Sequence, residues 1–136
     1  ADEVVILTYA SSNHFEESKA AILNWRKFAK NNKIIYYDLG LEQQEREQLS
    51  EVCNLELRTF DFSKYPSIVK NVKDYRFKAP VLAEVFAEFA TVFVFDASIR
   101  FKVEMESLAA NVRWIISVIK RIFKEFLSNM VSNDIS

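Results

Sequence analysis

Glycine is almost missing from this chain: Gly40 is the only one in 136 residues. A phosphate loop or a dinucleotide fingerprint needs several glycines, so that backbone can approach phosphate oxygens closely. Both are excluded, and a phosphate-bearing ligand would have to be held by side chains, helix N-termini or a metal. Cysteine is equally scarce. Cys53 stands alone, so no intrachain disulfide can form, which fits a reducing compartment without excluding secretion. A single histidine, His14, excludes a multi-histidine metal site. The net charge of −1 offers no global attraction for nucleic acid or an anionic membrane, and no nucleic-acid partner is expected. No basic run followed by an apolar core opens the chain, so any signal or anchor is expected to have been removed or never to have existed. With no Asn-x-Ser/Thr sequon, N-glycosylation gives no evidence for a lumenal history. No stretch reaches the ~20 apolar residues of a bilayer span, and no transmembrane segment is expected.

What the chain does have is apolar content, half of its residues, enough for a core that needs neither disulfides nor metal. Val4-Val5-Ile6-Leu7-Thr8-Tyr9 is short and β-branched, a strand buried on both faces. Ser11-Ser12-Asn13 breaks it, and Asn13 with Glu16 predicts a capping box for a helix carrying Phe15, Ala21, Ile22, Trp25, Phe28 and Ala29 on one face. Lys33 to Tyr37 reads as a second strand, Glu42 to Val52 as a polar helix, and the alternating Leu55 to Thr59 as a third strand near an edge. After Tyr65-Pro66, the residues Ile68, Val69 and Val72 suggest one short helix. Pro80 suits the first turn of another helix, with Val81, Leu82, Val85, Phe86 and Phe89 as its apolar face. Thr91 to Phe95 is the fourth strand, and Asp96 ends it.

Strands alternating with helices predict an α/β fold, Rossmann-like and three-layered, on a mostly parallel four-stranded sheet. The expected order is 3-2-1-4, with the two most apolar strands, the first and fourth, at the centre. Winding would reverse between strands one and four, and ligands in such sheets bind at that switch point, outside the carboxyl ends of the strands. Residues 1–101 form this region. Residues 102–136 are a different segment, an amphipathic helix packed on or beside it within a single domain. Leu108, Val112, Ile115, Ile116, Ile119, Phe123, Phe126 and Met130 fall on one face of that helix, and Arg113, Lys120, Arg121 and Lys124 largely on the other.

Chemistry-bearing residues gather at the predicted switch point. Asp96, at the end of a buried strand, is costly unless solvated, hydrogen-bonded or metal-bound; the alternative is a cap for the following turn through Ser98. Ser11, Ser12 and Asn13 can receive a carbonyl, ribose or phosphate at a helix N-terminus, or simply cap it. Arg76 and Lys78 can neutralise a diphosphate, or be scattered surface cations. Asp38, ending the second strand, is a candidate for a ribose or base contact. His14 reads as a surface residue and Cys53 as a small buried one.

Five spaced motifs carry a resemblance: Leu7-Thr8-Tyr9-Ala10-Ser11-Ser12-Asn13-His14, Tyr37-Asp38-Leu39-Gly40-Leu41, Phe60-Asp61-Phe62-Ser63-Lys64-Tyr65-Pro66, Tyr75-Arg76-Phe77-Lys78 and Phe95-Asp96-Ala97-Ser98. Over residues 4–101 the chain resembles an uncharacterised family, expanded in nematodes and present in other invertebrates. That family is similar to the nucleotide-sugar-binding half of type A glycosyltransferases. The resemblance implies a nucleotide sugar as donor substrate and a divalent cation, manganese or magnesium, at Asp96 and Ser98, with Ser98 in place of the second aspartate of an Asp-x-Asp motif. It implies that Thr8 and the loop from Ala10 to Ser12 face the nucleoside, and that Arg76 and Lys78 reach the donor phosphates. It also implies a secretory-pathway setting.

Type A enzymes continue past this motif with the elements that bind acceptor and supply the catalytic base, whereas the match stops near Phe101. The expectation is therefore a donor-binding half of a glycosyltransferase-like domain, truncated or divergent, without full activity. The rival expectation is a non-enzymatic interaction module, whose C-terminal helix serves a homodimer, a protein partner or a membrane surface.

Overall fold

The computed structural model describes residues 3–134, with the side chains of 112–117, 120, 123 and 130–134 left out. Its elements run β1 (Val4–Ala10), α1 (Phe15–Phe28), β2 (Ile34–Asp38), α2 (Gln43–Ser50), β3 (Leu55–Thr59), α3 (Lys78–Phe86), β4 (Thr91–Val94) and α4 (Met105–Asp134). Short 3-10 turns occupy Ser12–His14, Phe62–Lys64, Ser67–Lys70 and Val72–Asp74. The sheet is parallel throughout, in the order β3-β2-β1-β4. The fold class is α/β and Rossmann-like. The chain divides into two compact units, residues 1–101 and 102–136.

Alternation along β1 sorts the core into two layers. Val5, Leu7 and Tyr9 pack with Ile35, Tyr37, Phe60, Phe77 and the α3 residues Val81 and Val85. The opposite residues of the sheet face α1: the Tyr36 hydroxyl meets the Ser18 hydroxyl at 2.8 Å, and the Trp25 ring lies 5.9 Å from that of Phe95. Helices on both faces follow from the reversal of winding. The crossover from β1 to β2 and that from β3 to β4 run in opposite directions along the sheet and, both being right-handed, place their helices on opposite sides.

Four local expectations are corrected. β4 is an edge strand, and β1 and β2 are the central pair. The apolar run of β4 reports cover on its two faces rather than neighbours on its two sides: Phe93 stacks on Phe95, Phe95 meets Trp25 and Phe101, and Val92 packs toward α3. The capping box of Asn13 and Glu16 does not form. A 3-10 turn precedes α1, and no side chain caps either of them. The single helix across Ile68 to Val72 is instead two 3-10 turns. Asn71 separates them because its side chain accepts the Lys73 N–H, at 3.2 Å, and so competes with helix continuation. Cys53 is exposed rather than buried, in the turn that follows α2.

The 30 residues of α4 include the expected C-terminal helix. Ile119 and Phe126, expected on its apolar face, are each 57% exposed, while Leu108 is half-buried. Arg121 and Lys124 are exposed. The side chains of Val112, Arg113, Ile115, Ile116, Lys120, Phe123 and Met130 lie outside the described residues. Among the described residues no helix is long and apolar enough to cross a membrane.

Candidate functional site

A parallel sheet delivers the carboxyl ends of all its strands to one side, where the turns that follow β1 and β4 lie beside the segment that precedes α3. Between them lies a cleft of about 440 Å³. Its walls come from the β1–α1 turn (Ala10, Ser11, Asn13, His14), the segment preceding α3 (Lys73, Tyr75, Phe77) with Lys78, and the turn after β4 (Asp96, Ala97, Ser98).

Asp96 organises the polar end. Strand β4 stops at Val94, so Asp96 stands two residues beyond it with a side chain 57% exposed, and the burial cost expected for it does not arise. Its Oδ1 accepts the Tyr9 hydroxyl at 2.6 Å and lies 3.7 Å from the Lys78 ammonium. That ammonium also sits over the rings of Tyr75, at 4.7 Å, and Tyr9, at 5.4 Å, both cation–π distances. Burial, and then the bond to Asp96, push the Tyr9 phenol well above the ordinary tyrosine range. Tyr9 is therefore a fixed donor and not a base. Tyr75 holds a left-handed backbone at φ 55° while its side chain remains 60% exposed, a conformation that is costly for a bulky residue.

Six of the sequence-predicted site residues, Ala10, Ser11, Asn13, Lys78, Asp96 and Ser98, line this cleft. The other four do not. Thr8 is fully buried, and its hydroxyl donates to the Phe95 carbonyl at 2.9 Å, tying β1 to the end of β4. The Ser12 hydroxyl is spent on the β2–α2 loop and the start of α2: its one proton is directed at Glu45 or the Gly40 carbonyl, and its oxygen accepts the Glu42 N–H. Asp38, 4% exposed, accepts the N–H groups of Gly40 at 2.8 Å and Leu41 at 2.7 Å, and the Arg46 guanidinium at 2.7 Å. Burial raises its pKa, but these donors outweigh burial and hold the carboxyl below its ordinary value. Arg76 is exposed and outside the cleft, and Lys73 stands in the position expected of it.

Sequence reasoning missed Lys73, Tyr9, Tyr75 and Phe77. Tyr9 was legible in principle, because it shares a β1 face with Val5 and Leu7. Lys73 owes its position to the Asn71 turn, whose Asn-x-Lys-Asp sequence carries an Asx-turn signal.

A divalent cation fits these residues poorly. Two carboxylates line the cleft: Glu17 faces His14, one oxygen of Asp96 already serves Tyr9 and Lys78, and a second lysine lines the same cleft. Calcium gathers about six to eight oxygen ligands, and magnesium, which can use one carboxylate with waters and substrate phosphates, would here compete with a lysine ammonium for Asp96. Among the described residues no three His, Cys, Asp or Glu side chains converge as a metal site.

A family profile described as protein of unknown function (DUF1647) matches residues 1–83, more than half of the chain. The chain belongs to the DUF1647 family. The matched residues run from β1 into α3 and so include Ser11, Lys73 and Lys78, while Asp96 and Ser98 lie beyond them. No curated protein and no solved structure matches the chain.

Proposed function

We propose that this DUF1647 chain is a glycosyltransferase-like, donor-binding domain whose cleft takes a nucleotide sugar. The observation that supports this reading best is the meeting of Lys73 and Lys78 with Ser11 and Asp96 at the switch point of a sheet that has no glycine-rich loop. Lys78 and Lys73 face the diphosphate, Ser11 and the Ala10 backbone the nucleoside, and Asp96 with Ser98 the sugar hydroxyls. The resemblance adds manganese or magnesium at Asp96 and Ser98, so a metal is one arm of the test.

The test is a thermal-shift screen of nucleoside diphosphates and nucleotide sugars, with and without manganese, on wild type and Lys78→Met. A ligand at a hundred times its dissociation constant stabilises the native state by about 2.7 kcal/mol. For a chain of this size that is a rise of several degrees. A rise that Lys78→Met removes supports the reading. Flat melts with every ligand in both buffers sink it.

A second reading, an interaction module working through α4, has one observation in its favour. Ile119, Ile122 and Phe126, spaced three and four apart, are 57%, 59% and 57% exposed. Light-scattering mass on wild type and Ile122→Glu tests it: a dimer reduced to monomer by the substitution supports the module, and a wild-type monomer counts against self-association.

A further inference from the structure

The charges lining the cleft are arranged as if a cation were already installed. Lys78 is held on three sides. Asp96 lies 3.7 Å from its ammonium, and the rings of Tyr75 and Tyr9 lie beneath it at 4.7 and 5.4 Å. Tyr9 in turn orients Asp96 through a 2.6 Å hydrogen bond to the same oxygen that faces Lys78. An unrestrained lysine at a surface rotates freely among many rotamers. This one, 37% exposed, begins α3 with its head placed between two aromatic faces and a carboxylate. Binding an anion there costs little further ordering of Lys78 itself.

A divalent cation at Asp96 would have to share that carboxylate with Lys78 or expel it, against the repulsion of a charge only one carboxylate away. No second acid compensates on this side. The other carboxylate lining the cleft, Glu17, lies 3.5 Å from His14 on the α1 wall, and the remaining cation, Lys73, adds positive charge. Lys73 has no ion pair of its own among the described residues, so its charge is available to a ligand.

We propose that Lys78 is the resident cation of this cleft: Asp96 and Tyr9 position its ammonium, and the diphosphate of the ligand is bound by Lys78 and Lys73 without a divalent metal. Asp96 is thus a positioning residue for Lys78 rather than a metal ligand. This rests on the reading of the cleft as a nucleoside-diphosphate site and specifies how the phosphate charge is met there. A lysine contributes one charge and three donors, where a bridging metal contributes two charges and fixed geometry. The pair of lysines supplies the same total charge.

The experiment is isothermal calorimetry of UDP, ADP, GDP and CDP in turn, in buffer with EDTA and in buffer with excess manganese. It uses wild type, Lys78→Met, Lys78→Arg, Asp96→Asn and, as a charge control on the α1–β2 connection, Lys30→Met. The expected result is binding in EDTA, with manganese changing the dissociation constant by less than threefold. Lys78→Met weakens binding at least tenfold in both buffers, Lys78→Arg by less, and Lys30→Met not at all. Asp96→Asn weakens binding by a similar factor in both buffers, because it loosens Lys78 in either. Binding that requires manganese in the wild type and is lost in Asp96→Asn only when manganese is present overturns the proposal and leaves the diphosphate reading standing. Binding in neither buffer overturns the diphosphate reading itself, and this proposal with it. Circular dichroism on each variant separates a lost contact from a lost fold, and the wild-type comparison of the two buffers is decisive without any variant.

Discussion

Asp38 offers the sharpest test of which carboxylates in this chain are structural. Its side chain is almost wholly enclosed and accepts three donors, two of them the backbone N–H groups that begin the β2–α2 loop. Removing the carboxylate in Asp38→Ala deprives both N–H groups of an acceptor and leaves Arg46 unpaired. A hydrogen bond of this kind contributes about 1 kcal/mol net, and more when one partner is charged. Arg46 is 40% exposed, so its share is discounted for solvent to about 1 kcal/mol at most. The expected loss is about 3 kcal/mol, and roughly half of that for Asp38→Asn, whose amide oxygen still accepts. For a chain of this length the melting temperature should fall by roughly 10 °C. Urea unfolding followed by tryptophan fluorescence, reading mainly the buried Trp25, gives the number directly.

The pH dependence carries an independent signature. The folded carboxyl titrates below its unfolded value, so its stabilisation is fully present above the unfolded pKa, about 3.9, and is lost as pH falls through the folded pKa. The gap in stability between wild type and Asp38→Asn should therefore be constant near neutrality and narrow only below about pH 4. A loss under about 1 kcal/mol for Asp38→Ala would refute the reasoning, since solvent would then be replacing the three bonds at little cost. Asp38 would return to the set of residues available to a ligand.

Three further outcomes are expected. Gly40→Ala should cost about 1–3 kcal/mol in the same unfolding assay, from backbone strain alone. The residue sits at φ 129°, and nothing lies within 4 Å of an added Cβ, so a neutral substitution would show that the loop relaxes. Trp25→Phe should cost roughly 2 kcal/mol through lost volume and the bond from Nε1–H to the Ile99 carbonyl, 3.0 Å long. An unchanged urea midpoint would contradict the packing assigned to Trp25. Burial pushes Tyr36 and Tyr37 up to about 12, so their stabilisation is complete below the unfolded tyrosine value near 10 and is lost as pH rises toward 12. Phenolate absorbance should show both ionising late, and ordinary titration near pH 10 in a still-folded protein would refute their burial.

The sequence by itself determined the kind of element at most positions, because periodicity and breakers act locally. β1 and β2 are apolar runs, β3 alternates, and Pro80 falls in the first turn of α3. Regular alternation of strand and helix also determined a parallel sheet and its order, since crossover handedness leaves few arrangements. The scarcity of glycine determined that no glycine-rich loop can cradle a phosphate. Tertiary structure decided what each side chain does with its polar atoms. Thr8, Ser12 and Asp38 stand in the right stretches for ligand contact, yet their hydrogen-bonding capacity is taken by Phe95, by the β2–α2 loop and by Arg46. No spacing rule reveals a partner 87 residues away, such as the one linking Tyr9 to Asp96. The edge position of β4 was hidden for a related reason. An apolar strand advertises the two faces it must cover, and the number of strands beside it is settled by backbone pairing, which leaves no mark on side-chain composition.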